Sequence, residues 1–423
     1  MGVFDGSVGG NISGIDSRTY HMKIALISNL YPPMSRGGAE RVAQRIAQEL
    51  HTRGHDICVI STMPFDGRAS LYPRLREVNV ERIYRFYPKN LYYILDDFRF
   101  PYPIRAFWHL IDLYSRSAER AVEIVLTQER PDIVLTHNLK GISLRIPQAV
   151  QRLQIPWIHT IHDVQLSVPS GLLFYDQDLP PWEQVLRSWY ERTVRHAFGQ
   201  PNVVISPSRF LADFYHARGF FHDSDIQVIP NPAPTSRAAI RQSRLSGPIR
   251  LLFAGQLEKH KGVLELVSVL DNVSLPIELH FAGEGTLASF IAERSHSDAR
   301  ITYHGFVSEE PLQHLLRIMD AVVVPSLCYE NSPTIIYESL QAGVPVIASD
   351  IGGVGELIHH GENGLLVRPA DPKALVQAIQ KFGDQVDQFW ARTSKIRASV
   401  SDYSIERYLD RLEEIMHELV SNS

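Results

Sequence analysis

Cysteine is scarce: Cys58 and Cys328 are the only two in 423 residues and fall in opposite halves of the chain, which excludes the disulfide framework of a small secreted domain and agrees with a reducing compartment. No run approaches the roughly 18 apolar residues needed to cross a bilayer, and residues 1–21 lack the apolar centre of a signal peptide. Basic charge is not in excess either. Lys and Arg total 42 against 47 Asp and Glu, a formal net charge of −5, which argues against a general nucleic-acid binder because such proteins displace counterions with a basic surface. No His/Cys cluster has zinc spacing, and no G-x-S-x-G string marks a hydrolase. Two Asp-x-Asp strings, Asp176 to Asp178 and Asp223 to Asp225, stand in polar loop text and read as solvated acidic turns, since a metal site needs converging oxygen ligands. These absences predict a soluble cytoplasmic protein with no essential metal.

What the chain does hold is a repeated style. Short β-branched runs alternate with amphipathic stretches: "KIALIS", "DICVIST", "PDIVLTH" and "NVVIS" in the first half, then "IRLLFAG", "IELHFAG", "AVVVPS" and "VPVIAS" in the second. Strands so continuously apolar are buried on both faces, which predicts parallel sheets covered by helices. The length calls for two domains. Their expected bounds are 22–232 and 249–400, joined by a linker at 233–248 rich in Pro, Ser and Arg, with a disordered Gly/Ser-rich tail at 1–21. Residues 404–420 place Ile405, Leu409, Leu412, Ile415, Met416 and Leu419 at helical spacing, an amphipathic helix that must dock on the body of the protein.

Glycines gather where these strands end. Gly37 and Gly38 precede a helix after the first strand, and Gly255, Gly283, Gly285, Gly352, Gly353 and Gly355 follow strands of the second half. A lone glycine turn is weak evidence, but four such strand ends in one domain describe a crevice in which a nucleotide diphosphate can approach the backbone. Lys261 stands at that edge, able to neutralise phosphate charge. The stretch "CYENSPTIIYESLQAG", residues 328–343, adds two carboxylates eight positions apart. On one continuous helix they would lie about 80° apart around the axis. Pro333 suits a first helical position and Ser332 an N-cap, which puts Glu330 in the preceding loop and Glu338 in the second turn. Both can then face one ligand resting on a helix N-terminus.

These residues resemble the retaining glycosyltransferases of family four, from about residue 23 to residue 420. The Glu330–Glu338 pair matches the family's E-x7-E motif, and "AGVPVIASDIGGVGELI" follows it as in the family. The resemblance implies the GT-B fold: two Rossmann-like parallel-sheet domains facing a cleft, with the C-terminal helix crossing back. It implies that Glu330 binds hydroxyls of the donor sugar, Glu338 the ribose, and Lys261 the diphosphate, helped by backbone N–H groups near Thr334 and Ile335, with Gly255, Gln256 and Ser332 lining the same donor site. His162 in "TIHD" would lie beside the transferred sugar, and Gly37, Gly38 and His137 on the acceptor side. One position departs from the pattern. Where the family commonly has Gly-Arg, this chain reads Gly255-Gln256, and a neutral amide cannot replace an arginine fork.

The implied activity is transfer of a sugar from a UDP- or GDP-sugar to a glycan, lipid-linked or small-molecule acceptor with retention at the anomeric carbon. The nucleotide sugar is then a co-substrate, and no separate cofactor is implied. A non-catalytic glycosyltransferase-like subunit and a sugar-nucleotide epimerase on the same fold are the competing readings. Residues 74–120 hold eleven aromatics among nine Lys/Arg and six Asp/Glu, a mixture that suits a membrane interface or a lipid-linked acceptor, while packing against the first sheet accounts for at least half of the aromatics. The expected location is cytoplasmic, extending to the inner face of the membrane.

Overall fold

The computed structural model describes residues 21–35, 37–78, 81–177, 179–233, 244 and 246–422. The expected tail up to residue 20, most of the 233–248 linker and Asp178 lie outside these. Among the described residues the strands of the first half are β1 (Lys23–Ile27), β2 (Asp56–Thr62), β3 (Arg74–Val78), β4 (Glu81–Phe86), β5 (Ile133–Thr136), β6 (Trp157–Thr160), β7 (Val203–Ser206) and β8 (Asp225–Val228). They form one sheet in the order β3-β4-β2-β1-β5-β6-β7-β8, parallel except for the edge strand β3. The second half supplies β9 (Ile249–Ala254), β10 (Ile277–Ala282), β11 (Ile301–Tyr303), β12 (Ala321–Val324), β13 (Val346–Ser349) and β14 (Gly364–Val367), ordered β11-β10-β9-β12-β13-β14 and all parallel.

The apolar runs explain this arrangement. β5, β6, β7, β12 and β13 are buried along their whole length, so each must have helices on both faces, which parallel crossovers supply. In each sheet the order reverses at one place, between β1 and β5 and between β9 and β12. Ligands of open α/β sheets bind at the carboxyl ends of strands at such a reversal. The loops after β9 and β12 carry Lys261 and Glu330, so the second domain brings both to its reversal point. Asp225 is the first residue of β8 rather than part of a loop. It and Asp223 are exposed and engaged locally, Asp225 by the Gln227 amide and Asp223 by His222.

The helix Ile405–Ser421 returns to the first domain. Ser404 caps it by accepting from the Arg407 N–H, and Ile405, Leu409, Leu412, Ile415 and Met416 are buried among Ile24, Leu26, Ile46 and Leu50. Arg53 at the end of the helix Gly38–Thr52 reaches Asp410 and Glu413, each at 2.7 Å, and His55 meets Glu413 at 3.0 Å. The Ala233 N–H donates to the Tyr403 carbonyl at 2.7 Å, so the chain leaves the first domain and comes back to it at one place. Leu409 is fully buried in this contact. Leu409→Ala is expected to destabilise the protein by about 2–5 kcal/mol, measured by denaturant unfolding; a loss below about 1 kcal/mol would mean that the returning helix contributes little to the first domain.

Candidate active site

The helix that follows β12 begins one residue later than its sequence suggests. Pro333 takes the N-cap position with extended dihedrals, and the helix spans Thr334–Gln341 with no side chain capping it. Ser332 is therefore not the cap. Its hydroxyl shares a 2.6 Å hydrogen bond with the Tyr337 phenol, and the first-turn N–H groups at Thr334 and Ile335 stay available to a ligand. Glu330 sits in the loop before the helix, and Glu338 one turn beyond Thr334.

Glu330 is held tightly. One carboxylate oxygen accepts from Ser326 Oγ at 2.8 Å and pairs with Lys261 Nζ. Burial pushes the Lys261 pKa down, but the adjacent Glu330 carboxylate outweighs it and the net shift is upward. Sequence reasoning gave these two residues separate ligands, whereas the structure ties them to each other. The loop backbone is held from below by Gly352, which has φ +65°. A Cβ there would lie 2.1 Å from the Glu330 carbonyl oxygen, so only glycine lets the two loops pack. The Gly353 N–H donates to that same carbonyl at 2.8 Å.

The first domain meets this loop directly. Asn331 Nδ2 donates to the His162 carbonyl at 2.8 Å. The Tyr329 N–H donates to the Leu173 carbonyl at 2.8 Å, and the Tyr175 N–H to the Leu327 carbonyl at 3.0 Å. Phe210 stacks on Tyr329 with ring centroids 5.3 Å apart, and Glu356 accepts the N–H groups of Arg209 and Phe210, each at 2.8 Å. A Cβ on Gly38 would come within 2.9 Å of the Thr334 methyl, so the starts of two helices, one from each domain, touch across the cleft. Of the residues expected on the acceptor side, Gly38 thus borders the donor-side helix. Gly37 lies just ahead of it, its N–H donating to the Glu40 carboxylate at 2.9 Å.

His162 and His137 form a stacked pair, His137 Nδ1 to His162 Nε2 at 2.9 Å. His137 is only 2% exposed, and its partner in this pair is His162. Burial lowers the His162 pKa to about 4 and that of His137 well below the usual imidazole value. Both rings are neutral at pH 7. His162 can give or take one hydrogen bond at a sugar hydroxyl, but it cannot neutralise a phosphate. Gly255 directly follows β9, its N–H donating to the Ala282 carbonyl at 2.9 Å, and Gln256 comes next.

Beside the histidine pair lies a small cavity of about 20 Å³ lined by His109, Asp112, Lys140, His162, Asp163 and Tyr190, room for a single ordered water. Burial raises the Asp163 pKa to about 6 and that of Asp112 to about 7. Asp163 could have been noticed in the sequence, since it completes "TIHD". Asp112 and Lys140 could not, because only the fold brings them to this place. Among the described residues no group of three His, Cys, Asp or Glu side chains is gathered to hold a metal.

Glu338 shows the strongest perturbation of the expected donor residues, its pKa raised to about 7 by burial, with Arg41 opposing and Glu309 adding to the rise. Because the folded chain holds this proton more tightly than the unfolded one, its contribution to stability falls as pH rises from about 4.5 to about 7. Glu338→Gln is therefore expected to match the wild type in stability at pH 5 and exceed it at pH 8, by on the order of 2–3 kcal/mol. Thermal unfolding at the two pH values checks this, and a variant less stable than wild type at pH 8 would show that the fold does not resist ionisation of Glu338.

Comparison with known proteins gives the same picture over most of the chain. Residues 36–237 match the family model described as Glycosyltransferase Family 4, and residues 248–384 the one described as Glycosyl transferases group 1. A glycogen synthase of Mycobacterium tuberculosis is 28% identical over 86% of each chain. A protein of the cps region of Klebsiella pneumoniae, itself uncharacterized, is 26% identical over 79% of this chain and 87% of its own. Among solved structures, a sucrose-phosphate synthase of Thermosynechococcus elongatus superimposes with a TM-score of 0.71 at 20% identity, covering 95% of this chain and all of its own. Anabaena HepE in complex with UDP does so at 0.67 and 18%, covering 94% and 100%. With the E-x7-E loop set at the strand-order reversal of the second of two facing parallel-sheet domains, and both domains matched by these families, the chain belongs to the family-four glycosyltransferases of the GT-B fold.

Proposed function

We propose that the cleft transfers a sugar from a UDP- or GDP-sugar to an acceptor hydroxyl with retention of anomeric configuration and without an essential metal. The observation that carries this reading is the Asn331 to His162 hydrogen bond, which sets the E-x7-E loop of one domain against the histidine pair of the other, with open helix N–H groups between them. HepE structures hold UDP and UDP-glucose, which favours a uridine donor.

In the proposed reaction the acceptor oxygen bonds to the anomeric carbon as the bond from that carbon to the phosphate oxygen breaks, and the acceptor proton passes to the departing phosphate. Attack on the face the diphosphate leaves accounts for retention and needs no protein nucleophile. Negative charge builds on the leaving group, where Lys261 and the N–H groups of Thr334 and Ile335 stabilise it. Neutral His162 and Glu330 orient sugar hydroxyls.

Of the acceptor classes compatible with the sequence, the surface favours a lipid-linked one. Tyr102, Phe107, Leu110 and Tyr114 are exposed on the helix Tyr102–Tyr114. The helix Pro181–Phe198 exposes Trp182, Val185, Leu186 and Trp189, a stripe at helical spacing. Inner-face residues of the same two helices, Asp112 and Tyr190, line the cavity beside His162. Exposed Lys89, Arg99, Arg116 and Arg120 flank the first stripe, so an anionic lipid surface complements it.

Incubation with UDP- and GDP-sugars and a lipid-linked acceptor should yield a product of unchanged anomeric configuration, read by NMR; inversion would rule out the proposed course. Lys261→Ala is expected to lower turnover on the order of 10²-fold or more. Glu338→Ala should weaken binding of the bare nucleoside diphosphate, whereas Glu330→Ala, by releasing Lys261, should bind it at least as well as wild type and lose discrimination among donor sugars. Equal losses in calorimetry would overturn this division of roles. Trp182→Ala with Trp189→Ala should reduce co-sedimentation with phosphatidylglycerol vesicles several-fold and leave nucleotide affinity intact; unchanged co-sedimentation would remove the membrane from the account.

A further inference from the structure

The cation that the donor-site expectation places at the diphosphate, Lys261, is already engaged. Lys261 is paired with Glu330, and Gln256 is neutral. The start of the helix Gly38–Thr52 is likewise partly satisfied, because the Glu40 carboxylate accepts the Gly37 N–H at 2.9 Å and brings a negative charge of its own. A nucleoside diphosphate leaving from this site would gather negative charge with little net positive charge in the second domain to meet it.

The facing helix of the first domain offers that charge. Gly38 touches Thr334, so the helix face that carries Gly38 looks onto the start of the Thr334 helix. Arg41 is three residues on, on the same face, and helical side chains lean toward the N-terminus, which aims its guanidinium back toward Thr334. Arg41 is exposed and makes no hydrogen bond or ion pair among the described contacts. Its charge is also the strongest one opposing the protonation of Glu338, which lies one turn along the facing helix. Arg45, a further turn away, is partly buried and reaches the Pro232 carbonyl at 3.5 Å.

We propose that Arg41 contacts the donor diphosphate across the cleft and supplies the positive charge that Gln256 does not. The proposal rests on the reading of the cleft as a nucleotide-sugar site. It makes the first domain a donor-binding element as well, so that the phosphate site is complete only when the two domains are together.

Calorimetry with UDP, GDP and ADP identifies the tightest binder, which is then compared with its parent nucleoside on wild type, Arg41→Ala, Arg41→Lys and the Arg41→Ala/Gln256→Arg pair. Arg41→Ala is expected to weaken the diphosphate about tenfold or more and leave the nucleoside unchanged, with Arg41→Lys between and Gln256→Arg restoring most of the loss. The exposure of Arg41 means that the variant should unfold at the wild-type temperature. Wild-type diphosphate affinity in Arg41→Ala, or an equal loss for the nucleoside, overturns the assignment of Arg41 alone. Failure of Gln256→Arg to restore binding overturns the exchange of charge between the two positions. A wild type that binds none of the three diphosphates overturns the donor-site reading and this inference together.

Discussion

The cleft depends on a contact between two backbones. Gly352 and Gly353 lie so close to the loop Tyr329–Asn331 that a methyl group at either position would strike a carbonyl oxygen of Glu330 or Asn331. That loop carries the donor-side carboxylate, the amide that reaches His162 and the aromatic ring that stacks on Phe210. Moving it by even a side-chain carbon would shift all three, because a packed interior passes strain along instead of absorbing it. The glycines after β13 therefore set the relation between the domains, and Gly353 also borders the first directly, since a Cβ there would lie 2.7 Å from the Ser208 Cβ.

Charge at the E-x7-E loop and the histidine pair is internally balanced. Lys261 is held by Glu330, Glu338 is pushed toward its protonated form, and His137 and His162 are neutral. Each of these states follows from burial, which disfavours an unpaired charge. A polyanionic ligand would change the balance by giving the lysine and the open helix N–H groups a partner. The helix Ile405–Ser421, packed on the first domain after the chain has left the second, shortens the loop that separates the two and so lowers the entropic cost of keeping them close.

The first domain is two-sided. One side of its sheet is closed by the returning helix and the Gly38–Thr52 helix. The other carries helices whose inner residues line the cavity beside His162 and whose outer residues are aromatic and exposed. Of the eleven aromatics in residues 74–120, Tyr84, Phe86, Tyr92, Tyr93 and Trp108 are buried, while Phe98, Tyr102, Phe107 and Tyr114 are exposed, so packing and surface divide the group between them. The stripe at Trp182 to Trp189 lies far from that segment in sequence and joins it only through the fold.

Sequence alone determined the parallel two-domain architecture and an amphipathic C-terminal helix that must dock, because uninterrupted β-branched runs and a helical apolar period leave few ways to be buried, whereas the return of that helix to the first domain was implied only by the family resemblance. It also placed Glu330 before a helix and Glu338 within it, since proline constrains its neighbours over one or two residues. Tertiary structure decided what those local rules do not reach. Pro333 rather than Ser332 occupies the N-cap because the Ser332 hydroxyl is drawn to Tyr337. Lys261 meets Glu330 across a separation of 69 positions, and the charge of Arg41 in the first domain acts on Glu338 in the second. Asp112 and Lys140 join Asp163 at a cavity that no motif announces. Spacing along a chain reports which residues share a turn or a face, whereas a site is assembled by which strand ends lie side by side, and that is settled only when the sheets form.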